Sequence, residues 1–329
     1  MSTLEQIDFT NLNPDRVIDA VESLGYVSDL RVFALNSYEN RVYQFGLEEK
    51  EPIVVKFYRP ERWSDEQILE EHRFTQQLAD TDIPVIPPWQ NTAGDSLFHF
   101  EGYRFALYPR RGGHAPALDD MDNLFQLGRL FGRLHLVGAS TTFQVRPKLD
   151  VVSFGDESRR DILLGVIPDS LQESYATTSE DLLVLVRQRF KDIAPTYIRT
   201  HGDGHVGNIL SRSDETWLVD FDDSRMAPAI QDLWMFLSGE QDAQQRAIME
   251  LVEGYQEFYD FNPRELGLIE ALRSLRIMHH AAWLARRWED PAFPKAFPWF
   301  NTERYWGEHI LQLREQLSLM QEPALRMPY

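Results

Sequence analysis

The chain has 329 residues, of which 43% are hydrophobic and 26% charged, and it carries a net charge of -19. These proportions predict a folded globular protein with one large or two modest domains, and they argue against disorder. The absence of cysteine excludes disulfides, cysteine-ligated zinc and a thiol nucleophile, and the negative charge argues against nucleic-acid binding.

The N-terminal segment, residues 1–16, has neither a basic start nor an apolar core, so we expect no signal peptide. No apolar run approaches the length of about 20 residues that crosses a bilayer, so we expect no membrane partner. The simplest location is therefore the cytoplasm.

The first hundred residues are predicted to be rich in β-strands. Between the two pairs of strands lies one predicted helix, which begins near Ser64 because Ser64 and Gln67 form a capping-box pattern. Four β-prone runs carry the strand prediction, and a Glu-Gly turn joins the last two into a hairpin: residues 41–45, 53–58, 97–100 and 103–108.

From residue 119 onward the pattern becomes helical, and the apolar positions recur with a period of 3.6 residues. The switch comes at the Pro-Arg-Arg-Gly-Gly run of residues 109–113, which suits a hinge beside a ligand cleft. We therefore predict an α+β protein with a β-rich lobe, residues 1–108, and a helical lobe, residues 109–329. The later helices are predicted at residues 180–189, 231–237, 243–259, 264–288 and 303–321.

The most informative motif is HGDGHVGN, residues 201–208, followed by the run LVDFDD that contains Asp220. Asp203 could accept the proton of an attacking hydroxyl, and Asn208 with Asp220 could hold the metal ion that phosphoryl transfer requires. An ordinary polar loop, whose Asp and Asn side chains only stabilise turns, is the alternative interpretation of so short a motif.

A predicted hairpin supports the grouping of two of these residues. Residues 209–211 and 216–219 are β-prone, and the polar run 212–215 between them suits a turn. Because an antiparallel hairpin brings its two ends together, Asn208 and Asp220 should lie side by side. Their amide and carboxylate oxygens are hard ligands that suit Mg²⁺.

Lys56 lies within the apolar strand IVVKFY, where a cation needs either a partner or a ligand. The following helix offers two carboxylates as partners. At 100° per residue, Glu71 shares the inward arc of the helix with Ile68, whereas Glu70 points away from it, so we favour Glu71. An edge-strand lysine and two solvent-facing glutamates are the alternative.

Several other polar residues admit two interpretations each. The turn of residues 36–40, which contains Ser37, could cover phosphates, although it lacks glycine and suits an ordinary hairpin turn equally well. Asp232 could accept backbone N–H bonds from the catalytic loop or only begin a helix. His135 is predicted to be a core residue. The sequence leaves open whether His201 or His205, or the carboxylates of residues 222 and 223, take part in catalysis.

Together these segments resemble the protein-kinase-like superfamily, in its aminoglycoside phosphotransferase and choline kinase branch. Within that branch the chain is most similar to the bacterial stress response kinase A family, over nearly its whole length. The segments that carry the resemblance are LNSYENRVYQF, VVKFYRPERW, ILEEH, HGDGHVGNIL, IQDLWMF and DPAFPKAFPWF.

The resemblance implies a bilobal protein-kinase-like fold with the nucleotide cleft between the lobes, and it implies roles for the motif residues. Asp203 would be the catalytic base, and Asp220 would complete the catalytic pair and bind Mg²⁺ together with Asn208. Lys56 would contact the α- and β-phosphates of ATP, oriented by Glu71.

The same resemblance implies that Ser37 lies in the loop over the phosphates and that residues 107–111 present backbone groups to adenine. It also implies a monomeric, cytoplasmic stress-response kinase that phosphorylates Ser/Thr hydroxyls of proteins. Threonine and serine residues at 177–179, or the serine of the turn, would be candidates for autophosphorylation, which would make the chain a phosphoprotein.

Several motifs of protein kinases are absent or altered in this sequence. The chain has no GxGxxG loop before Lys56 and no APE motif, and Gly202 stands where protein kinases have the arginine on which phosphorylated activation loops dock. Only a short stretch separates Asp220 from Asp232, which leaves little room for a peptide-docking loop.

Three functions therefore compete. The first is a protein Ser/Thr kinase, and the second is a small-molecule kinase acting on an amino alcohol, a sugar or a cationic compound. The acidic charge suits a cationic substrate, although it also serves solubility alone. The third is a nucleotide-binding regulator without turnover, against which the intact set of motif residues argues.

Overall fold

The computed structural model describes residues 8–212 and 215–327. Within these ranges nine α-helices and nine β-strands form. The helices are α1 (Pro14–Glu22), α2 (Asp65–Asp80), α3 (Met121–Gly138), α4 (Glu157–Gly165), α5 (Asp169–Ile193), α6 (Gln241–Gln256), α7 (Ile269–Arg286), α8 (Ala292–Ala296) and α9 (Glu303–Leu319). The strands are β1 (Ser28–Ala34), β2 (Arg41–Leu47), β3 (Ile53–Phe57), β4 (Phe98–Phe100), β5 (Tyr103–Pro109), β6 (Ile198–Thr200), β7 (Ile209–Arg212), β8 (Glu215–Leu218) and β9 (Arg225–Ala227).

The chain forms two compact units that are not continuous in sequence. The first unit contains the described residues up to Pro116 together with Phe143–Arg146 and Val206–Ser224, and the second contains the rest. The hairpin β7–β8 belongs to the first unit because Leu218 donates its backbone N–H to Pro84 O at 2.9 Å. A single boundary between residues 108 and 109 therefore does not describe these units, and the functional lobe boundary stays a prediction.

The first unit is built on an antiparallel sheet with the strand order β1-β2-β3-β5-β4. The four strands predicted from β-prone runs are present, whereas β1, which is mostly exposed, escaped prediction. Val55 and Phe57 are fully buried on one face of β3, and Lys56 between them projects from the other face. The sheet therefore sets Lys56 apart from the hydrophobic core.

Helix α2 begins as its sequence predicts. Ser64 caps it, since Gln67 N donates to Ser64 Oγ at 3.3 Å and Ser64 N donates to Gln67 Oε1 at 2.9 Å. The buried positions Ile68, Glu71 and Leu78 share one face. The predicted capping box and the inward direction of residue 71 are both confirmed.

The second unit is mainly helical, and the helices predicted at residues 243–259 and 303–321 are confirmed within three residues as α6 and α9. Three predictions need correction. The helix predicted over 180–189 is part of α5, which begins eleven residues earlier, at Asp169, and ends at Ile193. Residues 231–237 do not form an α-helix but two short 3-10 turns, and the helix predicted over 264–288 starts with a 3-10 turn at Pro263–Leu268 before α7. Helices α1, α4 and α8 and the short strands β6 and β9 were not predicted.

The helices of the structure bear on the prediction that no segment crosses a membrane. Among the helices in the described ranges, none has both the length and the apolar character required to cross a bilayer.

Candidate active site

The hairpin that carries two candidate metal ligands forms as predicted, and it belongs to the first unit. Ile209 pairs with Leu218, and a hydrogen bond from Val219 N to Asn208 O at 2.9 Å extends the ladder by one residue. Asn208 therefore immediately precedes the paired region, and Asp220 immediately follows it. The tip of the predicted turn, residues 213 and 214, lies outside the described residues.

Asp220 has an unusual backbone conformation. Its φ and ψ are 63° and 67°, in the left-handed region, which few residues other than glycine, asparagine and aspartate adopt. Its carboxylate is 55% exposed, although Lys56 Nζ lies only 3.0 Å from Oδ1. A half-exposed carboxylate beside a cation is available to an incoming ligand, and such backbone outliers cluster at functional sites.

Lys56 is buried and lies between two carboxylates. Its Nζ is 3.0 Å from Asp220 Oδ1 and 3.2 Å from Asp222 Oδ1. Burial opposes the charged form, but the two carboxylates outweigh it and hold the pKa of Lys56 well above its usual value. The lysine is thus a permanent cation at this site.

Glu71 does not pair with Lys56 in this structure, contrary to our expectation. Its side chain is buried in α2, and its Oε2 receives no hydrogen bond from any residue in the described ranges. Burial raises the pKa of Glu71 to about 7, against the opposing effect of the Lys56 charge. Glu70 is also buried, and its carboxylate accepts hydrogen bonds from the backbone N–H groups of residues 144–146 at 2.6–2.9 Å.

Asp222 and Arg62 form an ion pair that sequence reasoning did not find. Arg62 Nη1 bonds Asp222 Oδ2, and Nη2 lies 2.9 Å from Asp223 Oδ1. Burial opposes ionisation of Asp222, but the charges of Arg62 and Lys56 outweigh it and lower its pKa. No local pattern marks Arg62, which lies 160 residues from Asp222 in the chain.

The turn that contains Ser37 is anchored at its C-terminal end. Asn40 Nδ2 donates to Asp222 Oδ2 at 3.2 Å, and Arg59 N donates to Asn40 Oδ1 at 3.0 Å. None of residues 36–40 has a positive φ, so the turn forms without the left-handed backbone conformations that glycine favours. The predicted role of Ser37 stays a prediction.

The second unit carries the Asp203 loop, and Asp232 braces that loop as predicted. His201 N donates to Asp232 Oδ2 at 2.7 Å, and Gly202 N donates to Oδ1 at 2.8 Å. Gly202 has a φ of +85°, and a Cβ on Gly204 would lie 2.7 Å from the backbone oxygen of Asp232. The loop conformation therefore requires glycine where protein kinases have arginine.

Two buried histidines, His135 and His201, make hydrogen bonds around this loop. His135 is fully buried, as predicted, and its Nε2 lies 3.0 Å from Asp232 Oδ2 while Nδ1 lies 2.9 Å from Tyr255 Oη. His201 is also buried, and its Nδ1 accepts the backbone N–H of Asp203 at 3.3 Å. These contacts fix the loop, whereas His205 contacts the Asp203 carboxylate itself.

Asp203 has two basic neighbours. Arg276 Nη1, from α7, lies 2.7 Å from Oδ1, and His205 Nε2 lies 3.2 Å from Oδ2. Burial would raise the pKa of Asp203, but the His205 hydrogen bond and the Arg276 charge outweigh it and lower the pKa far below its usual value. The carboxylate is therefore ionised and able to accept a hydrogen bond from a hydroxyl. Arg276 gave no signal in the sequence.

The donor set of the first unit fits a hard divalent cation. Asn208 and Asp220 offer an amide and a carboxylate oxygen at one end of the hairpin, and Asp220 keeps an exposed carboxylate. In the described part of the chain, no group of three His, Cys, Asp or Glu residues has the arrangement of a metal site. One amide and one carboxylate oxygen would suit Mg²⁺ if phosphates supplied its other ligands.

Comparison with known proteins shows the family of the chain. Residues 30–269 match the phosphotransferase enzyme family. The chain belongs to this family. It is 42% identical over 322 residues to stress response kinase A of Escherichia coli K12, covering 97% of each chain. It is 41% identical over 320 residues to the serine/threonine protein kinase RdoA of Salmonella typhimurium, again covering 97% of each.

Solved structures of low sequence identity show the fold. A microcompartment-associated aminopropanol kinase superimposes with a TM-score of 0.72 at 16% identity, covering 94% of this chain and 99% of the other. The amicoumacin kinase hAmiN, in complex with AMP-PNP, Ca²⁺ and Ami, superimposes with a TM-score of 0.70 at 18% identity, covering 93% of each. The kinase-like α+β fold and the resemblance to stress response kinase A are thus confirmed, and the relatives support kinase activity.

Proposed function

We propose that the protein is an ATP- and Mg²⁺-dependent kinase that transfers the γ-phosphate to Ser/Thr hydroxyls of proteins. The observation that carries the proposal is the braced, ionised carboxylate of Asp203 in the HGDGHVGN loop. The protein acceptor is supported by the name of the Salmonella relative, a serine/threonine protein kinase. We include a cytoplasmic location and a monomeric state in the proposal.

Asp203 acts on the acceptor. Its carboxylate orients the attacking hydroxyl and accepts its proton as the new bond to phosphorus forms. His205 and Arg276 keep it ionised before the reaction. Gly202, Gly204 and the Asp232 brace hold it in a fixed position, which orients the attacking oxygen.

The first unit binds the nucleotide. Asn208 and Asp220 would hold Mg²⁺, which neutralises phosphate charge when bound. Lys56 exchanges its contact with Asp220 for the α- and β-phosphates, and Ser37 with its turn covers them. Backbone groups of residues 107–111 hold adenine. Glu71 remains in the proposal as a residue of the nucleotide side, although it does not pair with Lys56 here.

Small-molecule phosphorylation is the second candidate. Solved structures with the same fold include an aminopropanol kinase and a spectinomycin phosphotransferase, and the net charge of -19 favours a cationic acceptor. A nucleotide-binding regulator without turnover is the third. It would be favoured if the protein bound ATP but moved phosphate to no acceptor.

The deciding experiment measures phosphate transfer from labelled Mg-ATP by the purified protein, alone, with a generic basic protein, and with a panel of small hydroxyl compounds. Label on protein that disappears in Asp203→Asn would support the proposal. ADP release that depends only on a small hydroxyl compound would instead assign the chain to the small-molecule kinases.

The Asp203→Asn variant should lose turnover by a factor of about 10² to 10⁴ while it keeps ATP binding, because only the base is removed. Binding is measured by calorimetry with Mg-ATP. A matched control, Asp242→Asn, changes an exposed carboxylate in the first turn of α6 and should leave turnover near normal. Near-normal turnover in Asp203→Asn would refute the assigned base.

A further inference from the structure

The turn after β8 contains two carboxylates, Asp222 and Asp223, that the proposed chemistry does not use. They differ sharply in environment, since the Asp222 side chain is 4% exposed and that of Asp223 is 34% exposed. A fully buried carboxylate next to a metal-binding turn is costly unless it is paired and hydrogen-bonded. Its contacts therefore indicate what it does.

Asp222 connects Lys56 to a second cation, Arg62. Its Oδ1 forms an ion pair with Lys56 Nζ at 3.2 Å but accepts no hydrogen bond within the described ranges, whereas its Oδ2 bonds the guanidinium of Arg62 and accepts Asn40 Nδ2 at 3.2 Å. Arg146 Nη2 donates to the backbone oxygen of Asp222 at 2.5 Å. The position of the carboxylate is thus determined by groups other than the lysine.

Arg62 is itself held on three sides. Besides Asp222, it contacts Asp223 at 2.9 Å, and its Nε lies 3.7 Å from Glu39 Oε1 in the turn that contains Ser37. Its guanidinium also lies over the ring of Trp63, 5.1 Å from the ring centroid. An arginine so constrained is a rigid anchor, because its planar fork matches carboxylate geometry.

Glu71 lacks these properties. No ion pair joins Glu71 to Lys56 in the described ranges, and its Oε1 receives only a long contact of 3.5 Å from Thr75 Oγ1. Burial also keeps a large fraction of Glu71 protonated near neutral pH, because its pKa is raised to about 7. A carboxylate that no arginine anchors cannot fix an ammonium as firmly as Asp222, which Arg62 holds in place.

From this geometry we propose that Asp222, anchored by Arg62, is the positioning carboxylate for Lys56, in place of the glutamate on helix α2. When the nucleotide replaces the Asp220 contact of the lysine, the Asp222 contact holds Nζ toward the phosphates. The inference rests on the proposed ATP-dependent function and deepens it. Asp222 is a positioning residue, and it touches neither the acceptor nor the transferred group.

The test is a double-mutant cycle on nucleotide binding, measured by calorimetry in the full-length protein with ATP, once with Mg²⁺ and once with EDTA. The variants are Asp222→Asn, Lys56→Met and their combination, with Glu71→Gln and Asp223→Asn for comparison. If Asp222 acts through Lys56, Asp222→Asn weakens ATP binding about tenfold alone and adds little in the Lys56→Met background. The effect persists in EDTA, because the lysine contacts phosphate without metal.

Three results would overturn the inference. An effect of Asp222→Asn that vanishes in EDTA would make Asp222 a metal ligand. A full additional loss in the Lys56→Met background would show that it acts independently of the lysine. A larger loss from Glu71→Gln than from Asp222→Asn would restore the helix glutamate as the partner. Asp223→Asn should cause the smaller change of the two turn variants, because Asp223 bonds Arg62 but makes no ion pair with Lys56 within the described ranges.

Two further arms keep the outcome interpretable. Thermal unfolding of each variant shows whether it is folded, and Arg62→Lys provides a second route, because it keeps the charge but loses the fork that anchors Asp222. We expect Arg62→Lys to weaken ATP binding in the same direction as Asp222→Asn, and normal binding in it would contradict the anchor. Failure of the wild-type protein to bind ATP would overturn the proposed function, and this inference with it, whereas normal ATP binding by Asp222→Asn would overturn the inference alone.

Discussion

At the scale of single residues, the candidate metal site depends on a strained backbone at Asp220. A non-glycine residue in the left-handed region is unfavourable by about 1–2 kcal/mol, and aspartate and asparagine tolerate it best because their short side chains bond locally. The strain orients a carboxylate that remains half exposed. Substitutions at residue 220 therefore change two things, the carboxylate and the conformational tolerance, and these can be separated.

We expect Asp220→Asn and Asp220→Ala to separate these effects. Both lose a charged metal ligand, so the Mg²⁺ concentration for half-maximal turnover should rise about tenfold or more in each. Only alanine loses tolerance of the left-handed conformation, so it alone should be destabilised, by about 1 kcal/mol. Magnesium titrations of turnover and denaturant unfolding measure the two quantities. Unchanged metal dependence would refute the ligand assignment, and equal stability of the two variants would refute the strain argument.

At the scale of secondary-structure elements, helices α3 and α6 pack unusually closely. A Cβ on Gly132 would lie 2.4 Å from the backbone oxygen of Tyr255, and one on Gly254 would lie 2.1 Å from that of Phe125. Only glycine allows two backbones to approach this closely. The contact also brings His135 of α3 to Tyr255 of α6 and so supports the Asp232 brace of the Asp203 loop.

Two glycine-to-alanine substitutions test this packing. Gly132→Ala should destabilise the protein by about 3 kcal/mol, because backbone atoms of α6 must move. Gly307→Ala, within α9, is the control: nothing lies within 4 Å of its Cβ position, so alanine should stabilise the helix by about 0.5–1 kcal/mol. Unfolding in denaturant measures both. The packing argument would be wrong if the two variants shifted stability in the same direction.

The same elements show what the sequence can predict. The capping box at Ser64, the strands around Lys56 and the β7–β8 hairpin follow from patterns within a few residues, and all are present. The 3-10 turns at 229–232 and 234–236 were predicted as a helix, because apolar periodicity does not reveal that Asp232 is bonded to the loop of residues 201 and 202. Arg276 lies 73 residues from Asp203, and no local pattern joins residues so far apart.

At the scale of the whole molecule, four acids with strongly shifted pKa values form two groups that respond oppositely to pH. Asp203 and Asp222 have lowered pKa values because basic neighbours outweigh burial, so they stabilise the fold above the normal pKa of aspartate and lose that effect in acid. Glu71 and Glu265 have pKa values raised to about 7 by burial. They stabilise the fold while protonated, and their contribution falls as pH rises through 7.

Glu265 provides the cleanest test of this division, because it belongs to the second unit, whereas the proposed nucleotide residues belong to the first. Its carboxyl group is buried, and Oε2 accepts the backbone N–H of Ile230 at 3.1 Å. Glutamine keeps that acceptor oxygen and cannot ionise. Since the folded pKa of Glu265 is about 7 and its usual value is 4.5, ionisation between pH 6 and 8 destabilises the wild-type protein alone. The stability of Glu265→Gln relative to wild type should therefore increase by about 1 kcal/mol over that interval.

Unfolding curves at both pH values measure the difference, and the exposed Glu289→Gln serves as the control with a constant difference. A constant difference for Glu265→Gln as well would show that this carboxyl group is already ionised at pH 6.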